Sequence, residues 1–268
     1  MLQIKSIIRQ FCCFIAIVAV LPSCKSDSSM DGSAPIGDQV GVGGSMARFT
    51  IKGDKLYTVS ESQLNVVDIF DPKQMSVEKS IDLPMGIETI FPYDTMLFIG
   101  SNTGMFIFDV RDPSSPRMLS VYEHITACDP VVVSGKYAYV TLRSGRTCRN
   151  TQNILEVIDV GNPTSPVKVG EYQMEHPHGL GVLGQSLLVC EGDFGLTEMD
   201  ISNPENLKKI GFVNDIHGYD LIPLRNKNIA IVTGETGLRQ YRITEDGRLG
   251  EMLSEIAIQK SDAEEEAI

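Results

Sequence analysis

The sequence predicts an all-β fold, a β-propeller built of five recognisable four-stranded blades, on three observations. First, an apolar run ending in Asp and a turn recurs five times: LNVVDIFDP (64–72), MFIFDVRDP (105–113), LEVIDVGNP (155–163), LTEMDISNP (196–204) and the worn copy LRQYRITED (238–246). Its Asp residues, Asp68, Asp109, Asp159 and Asp200, are spaced by 41, 50 and 41 residues, with Arg242 standing 42 further on. A fixed period near 40 marks a repeat architecture. Second, each unit divides into four short β-branched or aromatic runs separated by turn residues. In the second unit these are 86–91, 96–100, 105–110 and 117–122, parted by Pro92-Tyr93-Asp94 and Asn102-Thr103-Gly104. Third, no amphipathic helix of ten residues interrupts the units. Four strands repeated radially make a propeller blade.

The 268-residue chain, 42% hydrophobic, opens with a segment that is not part of that fold. Residues 1–23 place Lys5 and Arg9 before an apolar run from Phe11 to Leu21, too short to span a bilayer, and read as a secretory leader. Leu21-Pro22-Ser23-Cys24 is similar to a bacterial lipobox, which makes Cys24 the expected lipidation site. Lys25 directly after it points to lipid anchoring at the cell outer membrane, facing the periplasm or the surface. Residues 24–43, rich in Ser, Gly and Asp, read as a flexible tether with a reach of roughly 25 Å. The propeller is expected over 44–258, in units 45–83, 86–123, 127–174, 176–214 and 218–258, and 259–268 is an acidic tail.

Removing the leader takes away two basic and no acidic residues and leaves a net charge of −14. Such a surface repels phosphate backbones, so nucleic acid is not an expected partner. The membrane is expected to be reached through the lipid alone. Cys12 and Cys13 leave with the leader, and Cys128, Cys148 and Cys190 remain in an oxidising compartment. No zinc-type Cys or His spacing is present. The third unit is longer than the others by eight or nine residues, an excess lying in its B–C loop, Arg143 to Asn153. That loop shares a face with the start of the unit, so a Cys128–Cys148 disulfide is geometrically reasonable. Cys190, after an apolar run, reads as a buried inert thiol.

The VVD, IFD and VID cores, each followed by a turn to proline, resemble LVIVD repeats, as do GGSMARFTI (43–51), GIETIFPY (86–93), CDPVVVSGKYAYVTLRSG (128–145) and PHGLGVLG (177–184). The resemblance covers about residues 44–258. It implies a propeller fold and export in a secreted or lipid-anchored bacterial protein, and no established activity. Family members often carry further repeats ahead of GGSMARFTI. Blade number therefore stays open between five in a closed ring and five of a larger one.

The repeated Asp residues end strand C before a turn and are expected to lock that turn. The varying positions are more informative. Stepping back nine residues from strand B (Leu56, Leu97, Ala138, Leu187, Ile229) gives Ala47, Glu88, Asp129, His178 and Asp220. If strand A is innermost, this column rings one mouth of the channel, with Arg143 and Arg146 above it. Such a ring could be plain channel polarity or a ligand site, and its oxygens and imidazole would admit a divalent cation. His124 and His217 are expected to be packing or surface residues. The expected function is non-enzymatic: a cell-envelope binding or scaffold lipoprotein with a protein or small-molecule partner and no obligatory cofactor. Two alternatives stand beside it. One is a metal-assisted hydrolase or lyase using His178 as ligand or general base. The other is a surface glycan binder, which the lack of any Trp weakens.

Overall fold

A computed structural model describes residues 43–124, 130–145 and 152–258. The leader, Cys24, nearly all of the tether, Cys128, Asp129, Arg146, Cys148 and the acidic tail lie outside the described residues. Five antiparallel four-stranded sheets follow one another, each paired in chain order. Blade 1 comprises β1 (Phe49–Lys52), β2 (Lys55–Val59), β3 (Gln63–Asp68) and β4 (Ser76–Asp82). Blade 2 comprises β5 (Ile87–Tyr93), β6 (Met96–Ser101), β7 (Gly104–Asp109) and β8 (Arg117–Glu123). Blade 3 comprises β9 (Val131–Ser134), β10 (Tyr137–Leu142), β11 (Ile154–Asp159) and β12 (Val167–Gln173). Blade 4 comprises β13 (Leu180–Leu183), β14 (Ser186–Cys190), β15 (Leu196–Asp200) and β16 (Lys208–Val213). Blade 5 comprises β17 (Gly218–Leu224), β18 (Ile229–Gly234), β19 (Gly237–Ile243) and β20 (Leu249–Ala257).

The repeated motif does three local jobs. Its Asp locks a turn: the Asp68, Asp109, Asp159 and Asp200 carboxylates accept the N–H two residues on, from Phe70, Arg111, Gly161 and Ser202, at 2.8–3.0 Å. These bonds help to hold all four carboxyls below the usual range. The backbone N–H leads at Asp68 and Asp200, and the Arg111 and Lys136 side chains lead at Asp109 and Asp159. Just before that Asp, and before Arg242 in blade 5, the fourth strand carries an extra residue and bulges against the third. A bulge bends and twists the outer strand. The proline of the turn then serves the neighbouring blade, since the Tyr57 hydroxyl donates to the Pro113 carbonyl (2.8 Å) and Ser120 to that of Pro163 (2.6 Å). The first turn of each blade also repeats. Gly53, Asp94, Gly135, Gly184 and Asn228 all hold a left-handed φ of 50–60°, which Gly, Asp and Asn tolerate best.

First strands of consecutive blades contact one another, which places them innermost. Four apolar cores join the blades in sequence. Tyr57, Leu64 and Val66 meet Ile90 and Leu97 between blades 1 and 2. Phe98 and Ile107 meet Val131 and Val140 between blades 2 and 3. Tyr139 and Val157 meet Leu180 and Val189, and Leu188 and Cys190 meet Leu221 and Val232. The alternation of strand side chains explains this, because successive residues of a strand point to opposite faces of the sheet and so to opposite neighbours. Among the described residues no fifth apolar core links blade 5 to blade 1, and Phe49 and Ile51 on β1 remain exposed.

What ties the two ends together is polar. The Ser45 hydroxyl donates to Asp220 of blade 5 (3.0 Å) and accepts the Leu180 N–H of blade 4 (2.8 Å), and the Met46 N–H reaches the other Asp220 oxygen (3.3 Å). Residues 45–46 thus act as a strap from blade 1 to blades 4 and 5.

Candidate functional site

The start of each first strand and the turn between the second and third strands lie on the same face, as Gly192 pairing with Gly218 shows. That face carries a cavity of about 740 Å³ lined by four successive blades. Its polar lining is Arg48 and Glu61 from blade 1, Glu88 and Asn102 from blade 2, Arg143 from blade 3 and His178 from blade 4. Met46, Met85 and Ile87 supply apolar wall.

Main-chain bonds between blades build this mouth. The Glu61 carbonyl accepts the Gly86 and Ile87 N–H groups (2.9 and 3.0 Å), which brings the blade-1 turn against β5. Arg48 donates from Nη2 to the Ile87 carbonyl (2.9 Å), so its guanidinium head is fixed at the cavity wall. Gly86, at a φ of 97°, leaves the space that the Asn102 amide fills. On the far side Thr141 donates its hydroxyl to the His178 carbonyl (2.7 Å), and the Gly179 N–H reaches the Tyr219 carbonyl (2.8 Å).

The electrostatics centre on Arg143 and His178. Arg143 Nη1 contacts His178 Nδ1, and His178 Nε2 lies 3.2 Å from His176 Nδ1. A guanidinium can only donate, and the same Nη1 also lies 3.2 Å from His178 Nε2, so Arg143 meets both ring nitrogens and His176 a second face of Nε2. Burial, followed by the charge of Arg143, pushes the His178 pKa down to about 3. The imidazole is therefore neutral at physiological pH. Burial also lowers the Arg143 pKa, against the opposing pull of Glu88. Arg143 remains a cation between a neutral ring and a carboxylate.

Of the expected ring, the structure brings Glu88, Arg143 and His178 together. Asp220 departs from that expectation: its carboxylate holds the Ser45–Met46 strap and is not part of the cavity wall. Burial raises its pKa, and Gly179 permits the approach, since a β-carbon there would stand 2.8 Å from the Asp220 Cα. Asp129 and Arg146, and the expected Cys128–Cys148 bridge, fall outside the described residues. Cys190 is a buried free thiol, as expected, with its pKa raised well above the usual value by desolvation. The column of first-strand starts did not yield Glu61 and Asn102. Both stand five residues beyond the strand-B positions used as a ruler, where Arg143 also falls. Arg48 lies one residue past Ala47 in the first-strand column.

Fold and repeat together define the class: a β-propeller of repeated four-stranded blades. Residues 94–124 and 126–174 match the LVIVD repeat, and this match supports the LVIVD-repeat family for the chain. No curated protein matches the chain in sequence. Among solved structures it is similar to a protein named as a 6-phosphogluconolactonase from Bacteroides fragilis (TM-score 0.60, 11% identity, 79% of this chain and 70% of that one). It is also similar to the periplasmic gluconolactonase PpgL of Pseudomonas aeruginosa (TM-score 0.58, 13% identity, 77% of this chain and 68% of that one). A third likeness is to BamB of Moraxella catarrhalis (TM-score 0.54, 10% identity, 71% of this chain and 56% of that one). At these identities the likeness is one of fold.

Proposed function

We propose that the protein is a non-enzymatic binding module of the cell envelope, lipid-anchored through Cys24, whose channel mouth holds a small polar ligand. The observation that carries this reading is the mixed-charge cavity, whose lining combines Arg48 and Arg143 with Glu61, Glu88 and Asn102. Guanidiniums recognise carboxylate or phosphate through charge-assisted bonds. Glutamates and an amide complement hydroxyl or amino donors. A ligand carrying both, such as a sugar acid or an amino acid, matches that lining. The volume suits a molecule of that size or larger.

The gluconolactonase names of two fold neighbours supply the competing reading, turnover of a sugar lactone at the same mouth. Two features weigh against His178 as its general base. The ring has a pKa near 3, and both of its nitrogens are engaged by Arg143 and His176. A general base works best with a pKa near the operating pH.

Calorimetric titration with gluconate, 6-phosphogluconate, glucuronate and a set of amino acids tests the binding reading. Saturable binding of at least one, weakened about 10-fold or more in Arg143→Gln and Arg48→Gln, is expected from the loss of a charge-assisted hydrogen bond. No binding across the set would overturn it. Hydrolysis of gluconolactones abolished by Glu88→Gln would replace it with the enzymatic reading. Cys24→Ala is expected to move the protein from the membrane to the soluble fraction.

A further inference from the structure

Beside the mouth, on blades 4 and 5, three potential ligand groups converge from three separate turns. Asp193 lies in the turn between β14 and β15, His217 directly precedes β17, and Glu235 lies in the turn between β18 and β19. His217 Nδ1 is 3.1 Å from Asp193 Oδ1 and 2.8 Å from Glu235 Oε2. All three ligand atoms lie within 4.8 Å of one another. We propose that this trio is a binding site for a divalent transition-metal cation of the zinc type, independent of whatever the channel mouth holds.

Two physical arguments carry the assignment. The first is size. Nitrogen and oxygen ligands sit about 2.0–2.2 Å from zinc, so the edges of a tetrahedral site run to about 3.4 Å. The two edges from His217, 2.8 and 3.1 Å, reach that with side-chain shifts of a few tenths of an ångström, and the carboxylate–carboxylate edge lies within 4.8 Å. The second is preorganisation, because the turns are bonded to one another through their main chains. The Gly192 N–H donates to the Gly218 carbonyl (3.0 Å) and the Glu235 N–H to the His217 carbonyl (3.3 Å). Gly234 leaves room for that carbonyl, which any side chain there would strike. The His217 ring stands edge-on to Tyr219, with centroids 4.9 Å apart. That contact fixes the ring plane and leaves Nδ1 towards the two carboxylates.

The ligand set selects the metal class. One imidazole nitrogen favours zinc, nickel or copper over calcium, and two carboxylate oxygens supply the charge that neutralises a dication. Calcium takes six to eight oxygens, and this trio offers one nitrogen with its two carboxylates. Asp193, 83% exposed, leaves the site open to solvent and to an entering ion. Three protein ligands leave a coordination position for water or for an anionic group.

The test uses the full chain, free of any histidine tag and kept reduced, with Zn²⁺ as the probe in equilibrium dialysis and thermal-shift measurements. About one equivalent of Zn²⁺ and a rise in Tm are expected for the wild type, with no such rise for Ca²⁺. His217→Ala and the double variant Asp193→Asn with Glu235→Gln are expected to weaken Zn²⁺ binding by about 10- to 100-fold or more, the scale of losses at metal sites. Asp193→Asn alone changes an exposed side chain and keeps the test valid should His217→Ala fail to fold. Absence of Zn²⁺ binding, binding unchanged in Asp193→Asn, or equal stabilisation by Ca²⁺ would each overturn the assignment. Loss of sugar-acid binding in the mouth variants leaves these outcomes unaffected, so the two readings fail separately.

Discussion

The strap at Ser45 offers the sharpest test of how the two ends of the blade series are held. Ser45 is 1% exposed and bonds in two directions, accepting the Leu180 N–H at 2.8 Å and donating to Asp220 at 3.0 Å. Ser45→Ala removes the acceptor from a buried amide and the donor from a half-buried carboxylate. A buried donor left unsatisfied costs about 1–3 kcal/mol, and a lost hydrogen bond about 1 kcal/mol net. A loss of about 2–4 kcal/mol is therefore expected in urea unfolding followed by circular dichroism. A propeller of this size should lose roughly 2–4 °C of Tm per kcal/mol. A cycle of Ser45→Ala, Asp220→Ala and the double variant isolates the bond itself, with a coupling of about 1 kcal/mol or more expected for residues in direct contact. Hydrogen exchange at the Leu180 amide should accelerate in the single variant. A stability change within about 0.5 kcal/mol, the range of surface substitutions, together with additive effects in the cycle, would falsify the view that a polar strap connects the terminal blades.

Two further outcomes follow from the same structure. The His178 pKa is lowered from 6.5 to about 3, so between those values the unfolded chain binds the proton that the folded chain refuses. Stability from this group is complete above pH 6.5 and is lost as the pH falls towards 3. The difference in unfolding free energy between wild type and His178→Gln should therefore shrink over that window, and a constant difference would place the imidazole in an ordinary solvent environment. Asp200→Ala should open one turn by releasing the Ser202 N–H. It should lower Tm slightly and leave Zn²⁺ and small-ligand binding unchanged, whereas a large loss of either would give the repeated Asp a role in a site.

Much of the fold was legible because its signals are local. The short β-branched and aromatic runs of LNVVD and MFIFD specify strands, and the Asp and Pro that follow specify a turn whose hydrogen bonds span two or three residues. The expected strands of the second unit agree with β5 to β8 to within two residues. Part of the mouth was legible too, because a repeat is a ruler, and equal steps along it gave Glu88 and His178. A step in the other direction would have reached Asn102 and Glu61. Contacts distant in sequence decided the rest. Asp220 sits at the same register position as Glu88, yet Ser45, 175 residues away, takes its carboxylate. His217, expected as a packing or surface residue, does pack edge-on to Tyr219, and it also meets Asp193 and Glu235, which come from turns on either side of it with no motif spacing.

The sequence by itself determined the repeat, the strand order within each blade and the turn locks, since all of these rest on contacts within about forty residues. It also determined the acidic charge balance of the chain. Only the tertiary structure decided that four apolar cores and one polar strap hold five blades, and that Arg48 and Arg143 share a cavity with Glu61, Glu88 and Asn102. It alone brought His217 between two carboxylates. Those arrangements depend on the angle and spacing between sheets, which packing between blades sets and which no periodicity along the chain encodes.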